Sequence, residues 1–339
     1  MSSQFDRETA VEPVGEGRFT AQVSGSWNIG DNPNGGYLTA IAIQALRQMG
    51  PHQDPVSVTT HFLRPGSGGQ PGEVTTELLR SGRSVTTGRA TLSQDGRPRI
   101  EVVAALGDLS DTSSHDHEII LPPPSMPPLE ECVERDGLEQ GVRLFISSRV
   151  DLRVHPAMST AGGSNKAEVV GWIRFADERP PDALGAVLFS DAFAPSIFSR
   201  LGRVGWVPTI ELTVHVRRRP GPGWMMGRFT TEDLHDGRMI EDGCIWDANG
   251  SLVARSRQLA MLLPGTAAVE PRAGSGLTGS RRRLGPGPLR GTLLGESPGP
   301  LLGVVGLPDS RHVGALHLPQ FLFGGALGSP DELLGGGYS

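Results

Sequence analysis

Two stretches of the chain are apolar almost all round at helical length, and each is followed by shorter runs in which apolar and polar residues alternate. The first stretch is NGGYLTAIAIQALRQM, residues 34–49, with Gly35, Gly36, Ala40, Ala42 and Ala45 among its small residues. A helix without a wide polar face is a buried helix. The second begins at Asp182, a side chain suited to an N-cap, and continues through DALGAVLFSDAFAPSIFS to residue 199. It is equally apolar, and the pattern predicts a second buried helix there. The alternating runs that follow have the period of two that marks strands. A buried helix ahead of several long antiparallel strands implies a sheet wrapped around that helix, an α+β arrangement.

The strand-rich runs repeat. Residues 58–107 and 212–263 share four landmarks in the same order. A strand end carrying Thr60-His61, or Thr213-x-His215, leads into an Arg-Pro-Gly turn at 64–66 and 219–221. A Gly-Arg turn follows at 82–83 and 237–238, and then a hairpin signal, Asp95-Gly96 in one copy and Asn249-Gly250 in the other. One such landmark arises by chance; four in order at near-equal spacing mark a duplication. The chain therefore divides into an N-terminal domain, residues 5–108, and a C-terminal domain, 142–264. A linker over 109–141 holds LSDTSSHDHE and PPPSMPP. Beyond it all, residues 265–339 contain 18 glycines and 8 prolines with aperiodic leucines, a composition that reads as a disordered tail.

Composition narrows the function. A net charge of −6 argues against nucleic-acid binding. The cysteines, Cys132 and Cys244, belong to no CxxC pair or Cys/His cluster, so neither a disulfide framework nor a metal site is expected. The polar start MSSQFDRETAVEP carries no secretory signal, and no apolar run approaches the roughly 20 residues that span a bilayer, which predicts a cytoplasmic protein without membrane partners. GxSxG, HExxH, P-loop and GxGxxG contexts are all lacking, which removes the usual supports for serine-hydrolase, zinc-protease and Rossmann readings.

Asp191 stands out because it interrupts an apolar helix pattern, with Leu188 and Phe189 before it and Phe193 and Pro195 after. A carboxylate buried without partners costs several kcal/mol, so it neutralises, finds donors, or reaches solvent at the helix end. Perturbed carboxylates gather at functional sites, which makes Asp191 a site candidate. Thr209, in PTIELTVHV, and Gln258, in RSRQLAML, are ordinary strand residues on pattern alone. Gly35 and Gly36 open the first helix, where unpaired N–H groups, with those of Tyr37 beside them, suit a developing oxyanion. The same pair also serves simple tight entry after Pro33. Arg64, Arg80, Arg83 and the run Arg217–Arg219 are candidates for phosphate contacts or for solvated strand ends.

With these motifs in view, the chain resembles the acyl-CoA thioesterase II type, a double-hotdog family. The Gly-Gly helix entry, FLRPG, LRSGRSV and the QDG turn resemble its N-terminal half, and FSDAF, PTIELTVHV and VARSRQLAML its C-terminal half, over residues 5–263. The resemblance implies two tandem hotdog domains, each a long buried helix wrapped by an antiparallel sheet. It implies hydrolysis of acyl-CoA to free fatty acid and CoA, with no cofactor. Asp191 in Ser-Asp-x-Phe, Thr209 in Thr-Ile-acid and Gln258 in Val-Ala-x-x-x-Gln match the positions that hold the hydrolytic water in that family. Gly35, Gly36 and Tyr37 would supply the oxyanion donors. Leu212 departs from the family, which usually has histidine there. Two other readings compete, a non-catalytic acyl-thioester-binding hotdog protein and a hotdog hydratase or dehydratase. The second wants a histidine at a helix entry, whereas His61 and His215 fall in strands. Two fused hotdogs already satisfy the fold's pairing, so assembly into a homo-oligomer is left open.

Overall fold

A computed structural model of the chain describes residues 2–109, 119–135, 142–202 and 205–263. The expected tail, 265–339, lies outside the described residues, as do 110–118 and 136–141 of the expected linker. A short helix α1 (Gln4–Glu8) leads into strands β1 (Val11–Gly15), β2 (Arg18–Gln22), β3 (Asn28–Ile29) and β4 (Asn32–Pro33). The buried helix α2 (Gly35–Arg47) follows, then β5 (Asp54–Phe62), β6 (Pro71–Ser81), β7 (Thr86–Gln94) and β8 (Arg97–Gly107). The second run comprises β9 (Val133–Glu134), β10 (Val150–Val154), β11 (Glu168–Phe175), α3 (Ala183–Phe189), α4 (Ile197–Leu201), β12 (Thr209–Val216), β13 (Met225–His235), β14 (Arg238–Trp246) and β15 (Leu252–Met261).

Thirteen of these strands form one sheet in the order β1-β2-β6-β7-β8-β5-β12-β15-β14-β13-β11-β10-β9, and β3 pairs with β4 apart from it. The two copies of the repeat meet at its centre, where β5 and β12 run antiparallel. Thr59 stands opposite Thr213 there, with their hydroxyls 3.0 Å apart. The β6-β7-β8-β5 order on one side is answered by β13-β14-β15-β12 on the other. His61 and His215 are exposed residues of this central pair of strands. The linker contributes at its end the edge strand β9, paired with β10.

The helices behave as their patterns require, with one correction. α2 buries ten of its residues, from Gly36 to Leu46, and Asn34 caps it by accepting the Tyr37 N–H at 2.9 Å. α3 is capped by Asp182, which accepts the Gly185 N–H, and is buried along its whole length. The second helix, however, is not the long one expected over 182–199. It stops at Phe189, residues 190–196 are non-helical, and α4 starts afresh at Ile197. Pro195 accounts for the break: in a continuous helix its ring would clash with the Asp191 carbonyl, and it has no N–H to donate.

Candidate active site

The cavity of the molecule that holds the candidate residues measures about 430 Å³. Asp191, Thr209, Gln258, Gly35, Phe62 and Arg64 are among the residues that line it, with Leu38, Leu144, Ile146, Phe193 and Phe198 supplying apolar wall. Sequence separation hides this proximity, since the entry of α2, the break after α3 and the ends of β12 and β15 come together only in the fold.

Asp191 sits just past the C-terminal end of α3, against the N-terminus of α2. Its Oδ2 accepts the Gly36 N–H at 2.8 Å and the Asn34 Nδ2 at 2.9 Å. Asn34 also donates to the Asp191 main-chain carbonyl at 2.7 Å, a carbonyl left unused because the helix has ended. Burial pushes the Asp191 carboxyl up to about 6, against the opposing pull of the Gly36, Gly35 and Asn34 hydrogen bonds. The close approach needs the glycine pair. A Cβ on Gly36 would stand 2.9 Å from the Leu188 carbonyl oxygen and 3.1 Å from the Asp191 Cβ; one on Gly35 would stand 2.5 Å from the Phe62 ring.

This geometry corrects the expected oxyanion role. The Gly36 N–H is committed to Asp191 and the Tyr37 N–H to the Asn34 cap. The Tyr37 ring is fully buried, stacked on Trp27, and its hydroxyl donates to the Glu8 carbonyl at 2.6 Å. Helix entry and aspartate are thus one hydrogen-bonded unit, in which the Gly36 N–H holds the carboxylate and the Tyr37 N–H the Asn34 cap.

Thr209 and Gln258 are brought face to face, the Thr209 hydroxyl donating to Gln258 Oε1 at 3.0 Å. On β15 the side chains of Arg255 and Arg257 are exposed while Ser256 and Ala260 are buried, which turns Gln258 inward with the latter pair. Thr209 owes its place to a bulge. Thr209 pairs with Ala260 and Glu211 with Leu259, so Ile210 is extra, and the alternation that buries Leu212 and Val214 is shifted by one at Thr209. Leu212, where a histidine was noted as the usual family residue, is packed in the core at 2% exposure.

A further carboxylate was missed from sequence. Glu241 on β14 accepts Gln258 Nε2 at 2.8 Å and the Ser196 N–H at 2.6 Å. Burial, with the Asp191 charge added, pushes it up to about 6. Its signal was present in RMIEDGCIW, where Glu241 shares a strand face with Met239 and Ile245. Of the arginines singled out, Arg64 borders the cavity, its guanidinium donating to the Pro98 carbonyl at 3.1 Å. Arg219 instead pairs with Asp54 at 2.8 Å, and Arg80 and Arg83 are exposed residues outside the cavity lining. Among the described residues no cluster of His, Cys, Asp or Glu could hold a metal ion, and no helix is long and apolar enough to cross a membrane.

Comparison with known proteins identifies the family. The family model for the acyl-CoA thioesterase N-terminal domain matches residues 9–109, and that for the acyl-CoA thioesterase C-terminal domain matches residues 124–262. A solved candidate thioesterase II from Thermobifida fusca is 34% identical, over 77% of this chain and 97% of its own, with a TM-score of 0.69. A hot dog fold protein of unknown function from Alicyclobacillus acidocaldarius shares the fold at 23% identity, over 78% of this chain and 99% of its own, with a TM-score of 0.68. An uncharacterized protein of Mycobacterium tuberculosis is 28% identical over 270 residues, 72% of this chain and 90% of its own. The chain has the hotdog fold and belongs to the acyl-CoA thioesterase family. It is a thioesterase, and acyl-CoA is the substrate class the family implies.

Proposed function

We propose that this protein hydrolyses acyl-CoA to free fatty acid and CoA, using a water held by Asp191, Thr209 and Gln258. The observation that carries the reading is the Asp191 carboxylate, desolvated at an apolar cavity and fixed through Oδ2, with the Thr209–Gln258 pair on the same cavity. Oδ1 is the oxygen we assign to the water. A carboxylate raised to about 6 is ionised at neutral pH yet more basic than a solvated aspartate, which suits it to take a proton from water. Attack on the thioester carbonyl then expels the CoA thiolate, a good leaving group that needs neither a covalent nucleophile nor a metal. With its other N–H on Glu241 and its carbonyl on Thr209, the second N–H of the Gln258 amide is the donor we assign to the water, beside Asp191 Oδ1 and the Thr209 oxygen as acceptors.

The apolar wall of the cavity is the place for the acyl chain, and Arg64 at its border is the cation for the nucleotide phosphates. On this proposal the molecule is two tandem hotdogs, 5–108 and 142–264, joined through the β5–β12 pair, and it works in the cytoplasm. Thiol release from a panel of acyl-CoAs provides the test. Asp191→Asn keeps the volume and removes the charge, so turnover should fall by roughly 10²-fold or more while the protein stays folded. A folded Asp191→Asn protein with near-wild-type turnover takes Asp191 out of the mechanism.

A further inference from the structure

Glu241 is 5% exposed, between the buried Met239 and Ile245 on the inward face of β14. A carboxylate in such a place costs several kcal/mol unless its lone pairs are filled, and a well-packed apolar side chain is often the more stable choice. Here the donors that fill it have a consequence for the site. Oε2 accepts the Ser196 N–H, and the Ser196 hydroxyl lies 2.8 Å from that of Thr231 on β13. Oε1 accepts from Gln258.

An ionised carboxylate can only accept, so the edge of the Gln258 amide that faces Glu241 must be its NH2. The amide carbonyl is thereby turned to Thr209, whose hydroxyl spends its single proton on it. What Thr209 then offers the cavity is lone pairs, and what Gln258 offers is one remaining N–H. A neutral partner at position 241 would allow the amide to turn over and both offers to invert. The polarity of the water site is set one residue further back than the residues that touch the water.

We propose that Glu241 is a positioning residue for thioester hydrolysis, fixing the Gln258 amide, and through it the Thr209 hydroxyl, in the one sense that holds the attacking water. The inference rests on the water-holding role proposed for Asp191, Thr209 and Gln258. Thr231 on β13, Gln258 on β15 and Ser196 before α4 face Glu241, and Asp191 is the titratable group whose charge reaches it. The neighbouring charges on β14 and β15 are engaged elsewhere: Arg257 pairs with Asp242 at 2.9 Å, and Arg238 with Asp236 at 2.8 Å.

Glu241→Gln keeps the shape and an acceptor for Ser196 but can also donate, so it no longer sorts the amide. The measurements are kcat and KM for thiol release from acyl-CoA across pH 5 to 9, with thermal melts, for wild type, Glu241→Gln, Gln258→Ala and the double variant. Asp191→Asn is assayed beside them. We expect kcat of Glu241→Gln to fall roughly 10-fold with KM changed less than about two-fold, and the double variant to be no worse than Gln258→Ala, because residues acting as one unit are non-additive. The acid limb of log kcat should also relax from steeper than one proton toward one. Wild-type kcat and an unaltered acid limb in Glu241→Gln, with Asp191→Asn inactive, would overturn the positioning role and leave the water-holding reading standing. A loss that merely tracks the loss of folded protein, or that multiplies with Gln258→Ala, overturns it equally. Retained turnover in Asp191→Asn defeats the underlying reading itself, whatever Glu241→Gln does.

Discussion

One carboxylate lining this cavity, Asp191, and one behind it, Glu241, are each raised to about 6 by burial, and their chemistry ties activity and stability to the same pH range. Asp191 must be ionised to take a proton from the water and Glu241 to sort the Gln258 amide, so kcat/KM should fall as pH drops through about 6. Stability should move the opposite way at these positions. Because the folded-state value of Glu241 lies above its ordinary 4.5, folded protein takes up a proton between those values that the unfolded chain does not. The cost of burying the charge is therefore full at neutral pH and relieved as pH drops below about 6. Glu241→Gln, which never carries that charge, should melt higher than wild type at pH 7.5, and the gap should narrow by pH 5. A gap that is constant across this range, or that widens toward pH 5, would show that Glu241 is not buried in its charged form.

The elements were legible to different degrees, and Pro195 and Ile210 show why. Apolar periodicity located α2, and the turn residues located β5 through β8 and β12 through β15, because those signals are local. Asp191 was legible as a site candidate because a charge in an apolar helical run violates its own pattern. The break of the second helix was encoded by Pro195, but the apolar run on both sides of it outweighed that one residue. The bulge at Ile210 leaves no local mark, so nothing in PTIELTVHV tells that Thr209 turns to the cavity; resemblance to a family supplied that position where pattern could not. The glycine pair suits substrate donors or tight helix entry on sequence, and only the packing of α2 on the end of α3 shows that it makes room for Asp191. That packing is testable. Gly36→Ala would force its Cβ against the Leu188 carbonyl and the Asp191 Cβ, both fixed by the helix end rather than by a flexible side chain. Such overpacking costs about 1–3 kcal/mol, and it pushes the carboxylate away from its N–H donor. A thermal melt should show the loss of stability, and kcat of the folded fraction should fall with it. A Gly36→Ala protein with wild-type stability and turnover would mean that the two helices do not meet this closely.

At the scale of the whole molecule, neither half owns the site. Asn34, Gly35 and Gly36 come from the N-terminal half of the chain, while Asp191, Thr209, Glu241 and Gln258 come from the C-terminal half. What joins the copies is the β5–β12 seam, five residue pairs from Glu211–His61 to His215–Ser57, backed by the contact of α2 with α3. Removing the second copy would leave β5 as an open edge with a full row of unpaired N–H and C=O groups, the condition under which strands recruit other chains. It would also uncover the face of α2 that Leu188 now covers at Gly36. The pairing about Thr59 and Thr213 indicates how that edge would be satisfied. A second copy of β5, placed antiparallel with Thr59 against Thr59, could reproduce the seam's central hydroxyl contact. Residues 1–110 expressed alone should therefore self-associate, giving a dimer or larger species in light scattering. They should release no thiol from acyl-CoA, since every residue assigned to the water is missing. A monodisperse monomer of residues 1–110 with native-like strand content would show that the first copy needs no partner at β5, and that the seam joins two already complete domains.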